Sequence, residues 1–344
     1  MSALRALLER AREDRVFSAA AWSVGTAEGA LDRGWTGTRS WGGRGAEARA
    51  LDGSELWDLA SVTKPVVGLA VMALADRGAL ALTDTVGDHL PRYRTGTAAD
   101  LTLHQLLTHT SGLPGGVPLY RAHPTRESLL AALGALPPRA APGTRVEYSS
   151  QGFILLGLVA EAAAGRPLDE LVDTLVGRPL GMADTGFNPG EEGRARAVAT
   201  EDCPWRGRVV VGEVHDENAV VLGGVCGHAG LFATLADLER LGRCLAAGAP
   251  GLLRPATHAL MTAGHTDALN LRRGLAWQGL DPAGSPVGPA FGPDSYGHTG
   301  FTGTSIWVDP RGGRYAVLLT NRVHPSRAGD AIRAVRHAFH TAAP

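Results

Sequence analysis

Two rhythms of apolar and polar positions run along this chain of 344 residues, and the change between them outlines the fold. At the N-terminus, "MSALRALLERAREDRVF" has the spacing of an amphipathic helix, with Ser2 as its cap and Leu4, Leu7 and Leu8 as its apolar stripe. "FSAAAWSVGTAEG" and "DRGWTGTRSWGG" then read as two short strands joined by a glycine-bearing turn. From about residue 61 to 262 the helical period dominates. "TLHQLLTH" opens with a capping box, Thr102 and Gln105. "SSQGFILLGLVAEAAAG" is a helix ended by Gly165, and "TLADLERLGRCLAAG" is another from Thr234 to Gly248. Strand character returns in "RGLAWQGL", "TSIWVDP" and "RYAVLLTN", and a last helix follows from about Ala328. The Pro/Gly-rich stretch 278–297 reads as loop, and no internal repeat is present.

Strands at both ends with helices between them predict one α/β (α+β) unit over 1–344. In it, residues 1–60 and 263–344 build an antiparallel sheet flanked by the terminal helices, and residues 61–262 form an inserted all-helical subdomain. A hydrophobic content of 44% suffices for a sizeable core, and a net charge of −1 gives no electrostatic case for nucleic acid or an anionic membrane. The first helix is too charged for a signal peptide, and no apolar run reaches the ~18 residues of a membrane span, so a cytoplasmic location and an intracellular substrate are expected. Cys203, Cys226 and Cys244 are odd in number and lack metal spacing, which fits buried thiols in a reducing compartment. His104 and His109 are five apart, not the i, i+4 of a zinc helix, and no phosphate loop follows any strand; neither metal nor cofactor is expected. "VHDENA" (214–219) is either a turn capped by Asp216 or part of a cleft, and His228 in "GGVCGHAG" is either a loop hinge or a cleft contact. Trp35 and Trp41 read as core or cleft wall.

The chemistry concentrates at "SVTKP", residues 61–65. Lys64 is the only lysine among 33 Lys and Arg, so wherever charge alone was needed arginine was used. Ser61 and Lys64, at i and i+3 of a helix start, share a face with the helix's free N–H groups. A serine there becomes a nucleophile if a base takes its proton. An amine serves as that base when neutral, which burial favours, whereas a guanidinium cannot. Pro65 resists this picture, because an interior proline removes a helix hydrogen bond.

Two further segments complete a constellation: "PGTRVEYSSQGF" places Tyr148 just before a helix, and "GPDSYGHTGFTGTSIWVDP" places His298, Thr299 and Gly300 at the start of a strand. With "SVTK" these resemble the serine β-lactamase and penicillin-binding-protein superfamily, in particular its class C, DD-peptidase and esterase branch. "LTLHQLLTHTSGLPG", "PLGMADTGF" and "GGVCGHAGLFATLADL" extend the resemblance across the chain. The resemblance implies a β-lactamase/transpeptidase-like fold and two-step acyl transfer through a Ser61 ester. It makes Lys64 the base partner and Tyr148 the proton relay, with Ser150, His298 and Thr299 lining the site and the N–H groups of Ser61 and Phe301, after Gly300, as the oxyanion hole. Ser150 stands where the family often has asparagine, Gly115 and Gly116 where class C enzymes carry a glutamine, and His298 where many relatives have lysine. These departures tilt the expectation towards esters or uncharged amides and away from β-lactams. An esterase, amidase or peptidase acting on a small ester, amide or peptide is therefore expected. An acyltransferase or peptide cyclase, a β-lactamase or DD-carboxypeptidase, and a binding protein with acylation lost are the alternatives.

Overall fold

The computed structural model of the chain describes residues 2–42, 46–281 and 284–343. Its main sheet has six strands in the order β2-β1-β11-β10-β9-β8: β1 (Ala19–Thr26), β2 (Ala30–Gly37), β8 (Gln278–Gly279), β9 (Tyr296–Thr299), β10 (Ser305–Asp309) and β11 (Arg314–Thr320). All pairings in it are antiparallel, with Trp22 opposite Leu318 and His298 opposite Ile306. The pleat sorts side chains by parity. Ala20, Trp22 and Val24 of β1 and Ala316 and Leu318 of β11 meet Leu4 and Leu8 of the N-terminal helix (Ala3–Glu13) and Phe339 of the C-terminal helix (Ile332–Ala342). Ala19, Ala21, Tyr315, Val317 and Leu319 face the opposite way, into the larger core shared with the helical segment.

That core is centred on two helices, Thr63–Asp76 and Ser150–Ala164, whose residues are buried almost all round. The capping box at Thr102 and Gln105, the Ser2 cap and the left-handed Gly165 end stand where the sequence predicts them. The inserted segment is richer than a helical bundle. It holds β4 (Gly186–Phe187), β5 (Ala199–Cys203), β6 (Arg208–Val211) and β7 (Leu231–Ala233); β4 and β7 join β3 (Trp57–Asp58) in a small sheet, and β5 pairs with β6. The helix Leu235–Ala246 packs on β1, β10 and β11, so it covers the main sheet. "RGLAWQGL" yields only the two residues of β8, and the last helix starts at Ile332. Among the described residues no helix is long and apolar enough to cross a membrane.

Candidate active site

β3 leads into a single 3₁₀ turn, Ala60–Val62, and then into the helix Thr63–Asp76. Ala60 has φ 46°, a costly value for a residue with a Cβ. Asp58 holds it there: its buried carboxylate accepts from the Ala60 N–H at 2.7 Å and from the His215 N–H at 2.6 Å. Beyond this bend, Ser61 Oγ lies 3.1 Å from Lys64 Nζ, and Nζ donates to the His228 carbonyl at 2.9 Å. Lys64 is wholly buried. Pro65 is the third residue of the helix, in the first turn, whose N–H groups lack intrahelical acceptors in any case, so it removes no helix bond.

Tyr148 precedes the helix Ser150–Ala164, whose cap is Ser149. Ser149 Oγ accepts from the Gly152 N–H and donates to the Pro114 carbonyl, and the Ser149 N–H donates to His109 Nδ1 at 3.0 Å. The His109 ring packs against Tyr148 at 4.7 Å, and Lys64 Nζ sits 4.9 Å from the Tyr148 ring centre. Burial, and then the Lys64 charge, hold His109 well below the ordinary imidazole range, so it stays a neutral acceptor. Ser150 is one step into the helix, a rotation of about 100° from the cap, and does not line the cavity.

His298 and Thr299 end β9 rather than opening a strand, which corrects the sequence-based placement: the chain reverses after them and returns as β10. The reversal requires glycine at 300, since a Cβ there would meet Thr304 Oγ1 at 2.1 Å and the Leu59 carbonyl oxygen at 2.4 Å. Thr302 and Thr304 donate their hydroxyls to the carbonyls of Asp58 (2.8 Å) and Leu59 (2.9 Å). The turn that carries the Phe301 N–H is thereby tied to the segment that carries Ser61. Among the described residues neither the Ser61 nor the Phe301 N–H donates to a protein acceptor. His298 donates from Nδ1 to the Thr299 carbonyl, while burial and then the Lys64 charge push its pKa down to about 3, so it is neutral near pH 7.

These groups open on a cavity of about 540 Å³ lined by Ser61, His109, Tyr148, Trp277, His298, Thr299, Gly300, Phe301 and five arginines. Arg273 is paired with Asp281 at 3.3 Å, and Arg327 is paired with Glu201 and Glu217. Arg322, Arg333 and Arg336 have no carboxylate within 4.0 Å among the described residues. Arg336 Nη2 donates to the carbonyls of Gly300 (2.7 Å) and Thr304 (2.9 Å), while its buried Nε has no partner. Burial lowers the Arg336 pKa to about 10, which still leaves it charged at neutral pH. Arg322 lies 4.2 Å above the Phe301 ring and donates to the Phe301 carbonyl at 2.7 Å. The sequence reading missed these arginines and His109. One signal was available for Arg336: it occupies the buried stripe Ile332, Arg336, Phe339, His340 of the last helix. Elsewhere, ligand-type atoms of Glu201, Cys203 and Glu217 lie within 4.8 Å of one another. Arg327 already donates to both of those carboxylates.

The family model described as Beta-lactamase matches residues 4–339. The chain belongs to the beta-lactamase family. As a member of it, the chain is a serine hydrolase that works through an acyl-enzyme. A relative from Escherichia coli (strain K12), named "Putative D-alanyl-D-alanine carboxypeptidase", is 30% identical over 306 residues, which cover 78% of this chain and 69% of that protein. Among solved structures, EstCE1, a hydrolase with promiscuous acyltransferase activity, superposes with a TM-score of 0.77 at 22% identity over 97% of both chains. Simvastatin synthase (LovD) from Aspergillus terreus superposes with a TM-score of 0.77 at 21% identity, over 98% of this chain and 96% of its own. These likenesses establish a β-lactamase/transpeptidase-like fold for this member of the family.

Proposed function

We propose that Ser61 is the acylated nucleophile, Lys64 its base and Tyr148 the proton relay, with the Ser61 and Phe301 N–H groups as the oxyanion hole. The preferred substrate carries a carboxylate beside the scissile ester or amide. The observation behind this reading is the wall formed by Arg322, Arg333 and Arg336, three guanidiniums with no carboxylate within 4.0 Å among the described residues, which line the same cavity as Ser61 and outnumber the one carboxylate there, Asp330. A neutral His298 explains why the strand motif itself contributes no positive charge. The expected tilt towards uncharged substrates therefore reverses: the cation missing from β9 is supplied from the C-terminal helix and the segment before it. Arginine fits this task because its planar fork meets a carboxylate with two hydrogen bonds.

In the first step Ser61 Oγ attacks the carbonyl carbon as its proton passes to Lys64, and the oxyanion takes both N–H groups. Tyr148 then gives its proton to the departing oxygen or nitrogen and takes the one held by Lys64, which leaves both groups as they began. Water attacks the Ser61 ester in the second step and the serine is regenerated. An alcohol or amine in place of water gives acyl transfer, the promiscuous activity described for EstCE1. The test compares 3-acetoxybenzoic acid with its methyl ester. A charged hydrogen bond contributes about 1.5–3 kcal/mol, so the acid is expected to have a kcat/KM about 10- to 100-fold higher, and Arg336→Met is expected to erase the difference. Equal rates for the two esters in the unaltered enzyme would refute the carboxylate reading.

A further inference from the structure

The loop "GGVCGHAG" and the turn "VHDENA", left open by the sequence, meet beneath Lys64. Asp216 caps the helix Glu217–Val221, accepting from the Ala219 N–H at 2.9 Å, and its Oδ1 also accepts from His228 Nε2 at 2.9 Å. His228 Nδ1 lies 3.1 Å from Cys226 Sγ, and the ring is buried. The backbone of the same His228 supplies the carbonyl that accepts from Lys64 Nζ. Three residues on, the Leu231 carbonyl accepts from the Leu59 N–H and the Leu231 N–H donates to Thr63 Oγ1, so this loop grips the chain on both sides of Ser61. Its path leaves no room for adjustment: a Cβ at Gly227 would meet the Phe153 carbonyl oxygen at 2.1 Å.

We propose that the Asp216–His228 ion pair, its imidazole buried and its carboxylate partly exposed, positions Lys64, fixing through the His228 carbonyl where the amine stands and setting the charge it feels. This rests on Lys64 acting at Ser61, as argued above. The pair is ionised: burial opposes charge on the imidazole, but the Asp216 carboxylate and the Cys226 sulfur hold its proton and raise its pKa to about 10. Asp216 is only partly covered; the desolvation it does suffer opposes its charge, and His228 nevertheless holds it well below the usual carboxylate range. The groups facing Lys64 are Ser61 and Tyr148, then Asp216, His109 and His298, which come from other segments. Those facing Asp216 are His228, Lys64 and Asp58. The two histidines beside Lys64 are neutral, so Asp216 is the anion whose charge the amine senses.

The two single variants therefore act on the base differently. Asp216→Asn removes the anion and with it the proton that it holds on the buried imidazole, so both partners are neutral and the acid limb of kcat/KM against pH stays near its place. His228→Gln leaves Asp216 as an unpaired anion, and the limb moves up, by about 1 pH unit. With 4-nitrophenyl acetate, both variants are expected to lose about 10- to 100-fold in kcat, the usual effect of a misplaced reacting group, with KM little changed. The double variant Asp216→Asn/His228→Gln, neutral on both sides, returns the limb towards its original place and keeps the assay decisive if His228→Gln alone does not fold. Ser61→Ala and Lys64→Arg serve as controls: activity in either removes the mechanism itself. Inactive controls combined with a His228→Gln limb that does not move up, or with an Asp216→Asn limb that moves as far as it, would overturn the positioning role alone.

Discussion

Gly300→Ala offers a graded test of how the oxyanion hole is built. The added methyl would start 2.1 Å from Thr304 Oγ1 and 2.4 Å from the Leu59 carbonyl oxygen, where ordinary contacts begin at 3.4 Å. One of these obstacles is backbone of the Ser61 segment, so the β9–β10 turn has to retreat by about 1 Å. That retreat carries the Phe301 N–H away from Ser61 and stretches the Thr302 and Thr304 bonds to Asp58 and Leu59, 2.8 and 2.9 Å long in the intact turn. Overpacking of this kind costs about 1–3 kcal/mol in stability. Loss of one oxyanion donor costs about 10²–10³ in kcat. The expected variant is folded, melts a few degrees lower and turns over 4-nitrophenyl acetate at least about 50-fold more slowly, with KM nearly unchanged. The assay is steady-state hydrolysis beside a thermal melt. A variant that melts lower yet keeps kcat within twofold would show that the turn is structural and that the Phe301 N–H takes no part.

Tyr148→Phe is expected to keep the melting curve and to lose about 10²–10⁴ in turnover, the range for a positioned proton-transfer group; an unchanged rate removes Tyr148 from the mechanism. Acid is expected to destabilise the fold. The unfolded histidine binds a proton near pH 6.5, whereas His298 and His340, kept neutral by burial, do so only at about pH 3. Their contribution is thus present at neutral pH and lost as pH falls from 6.5 towards 3, by about 2 kcal/mol each at pH 5. Melting temperatures measured from pH 8 to 5 should fall by several degrees, and a flat profile contradicts the burial argument. His228, whose pKa is raised to about 10, acts the other way: its contribution is full below pH 6.5 and is lost as pH climbs from 6.5 to about 10. A decline between about pH 7 and 10 that levels off above about pH 10 is therefore expected from this group in the unaltered protein and should vanish in the Asp216→Asn/His228→Gln double variant.

The parts of the site legible in the sequence are those with local spacing. Ser61 and Lys64 are three residues apart, Tyr148 precedes a capped helix, and His298, Thr299, Gly300 and Phe301 are consecutive. Each comes from a short stretch whose backbone course follows from caps and glycines. The sheet was legible for the same reason, because the near-continuous apolar runs of β1 and β11 report two covered faces. What was not legible depends on distant segments meeting. Arg322 and Arg336 both bond the carbonyls of the turn at 300–304, yet in a chain with abundant arginine each looks like surface charge. Asp216 and His228 are joined by no period of helix or strand, so their pairing emerges only when the loop doubles back. The sequence placed His298 at the wrong end of its strand because β9 has only four residues, too few to show alternation. The two-residue strands β3, β4 and β8 are set by their partners and carry no pattern of their own.

The central claim is that Ser61 carries the acyl group. Intact-mass spectrometry after treatment with an alkyl fluorophosphonate, followed by peptide mapping, tests it most directly. The account predicts one stoichiometric adduct on Ser61, complete loss of 4-nitrophenyl acetate hydrolysis in step with its formation, and no adduct on Ser61→Ala. An adduct on another residue that abolishes activity, or a Ser61→Ala protein that still turns over the ester, would contradict it.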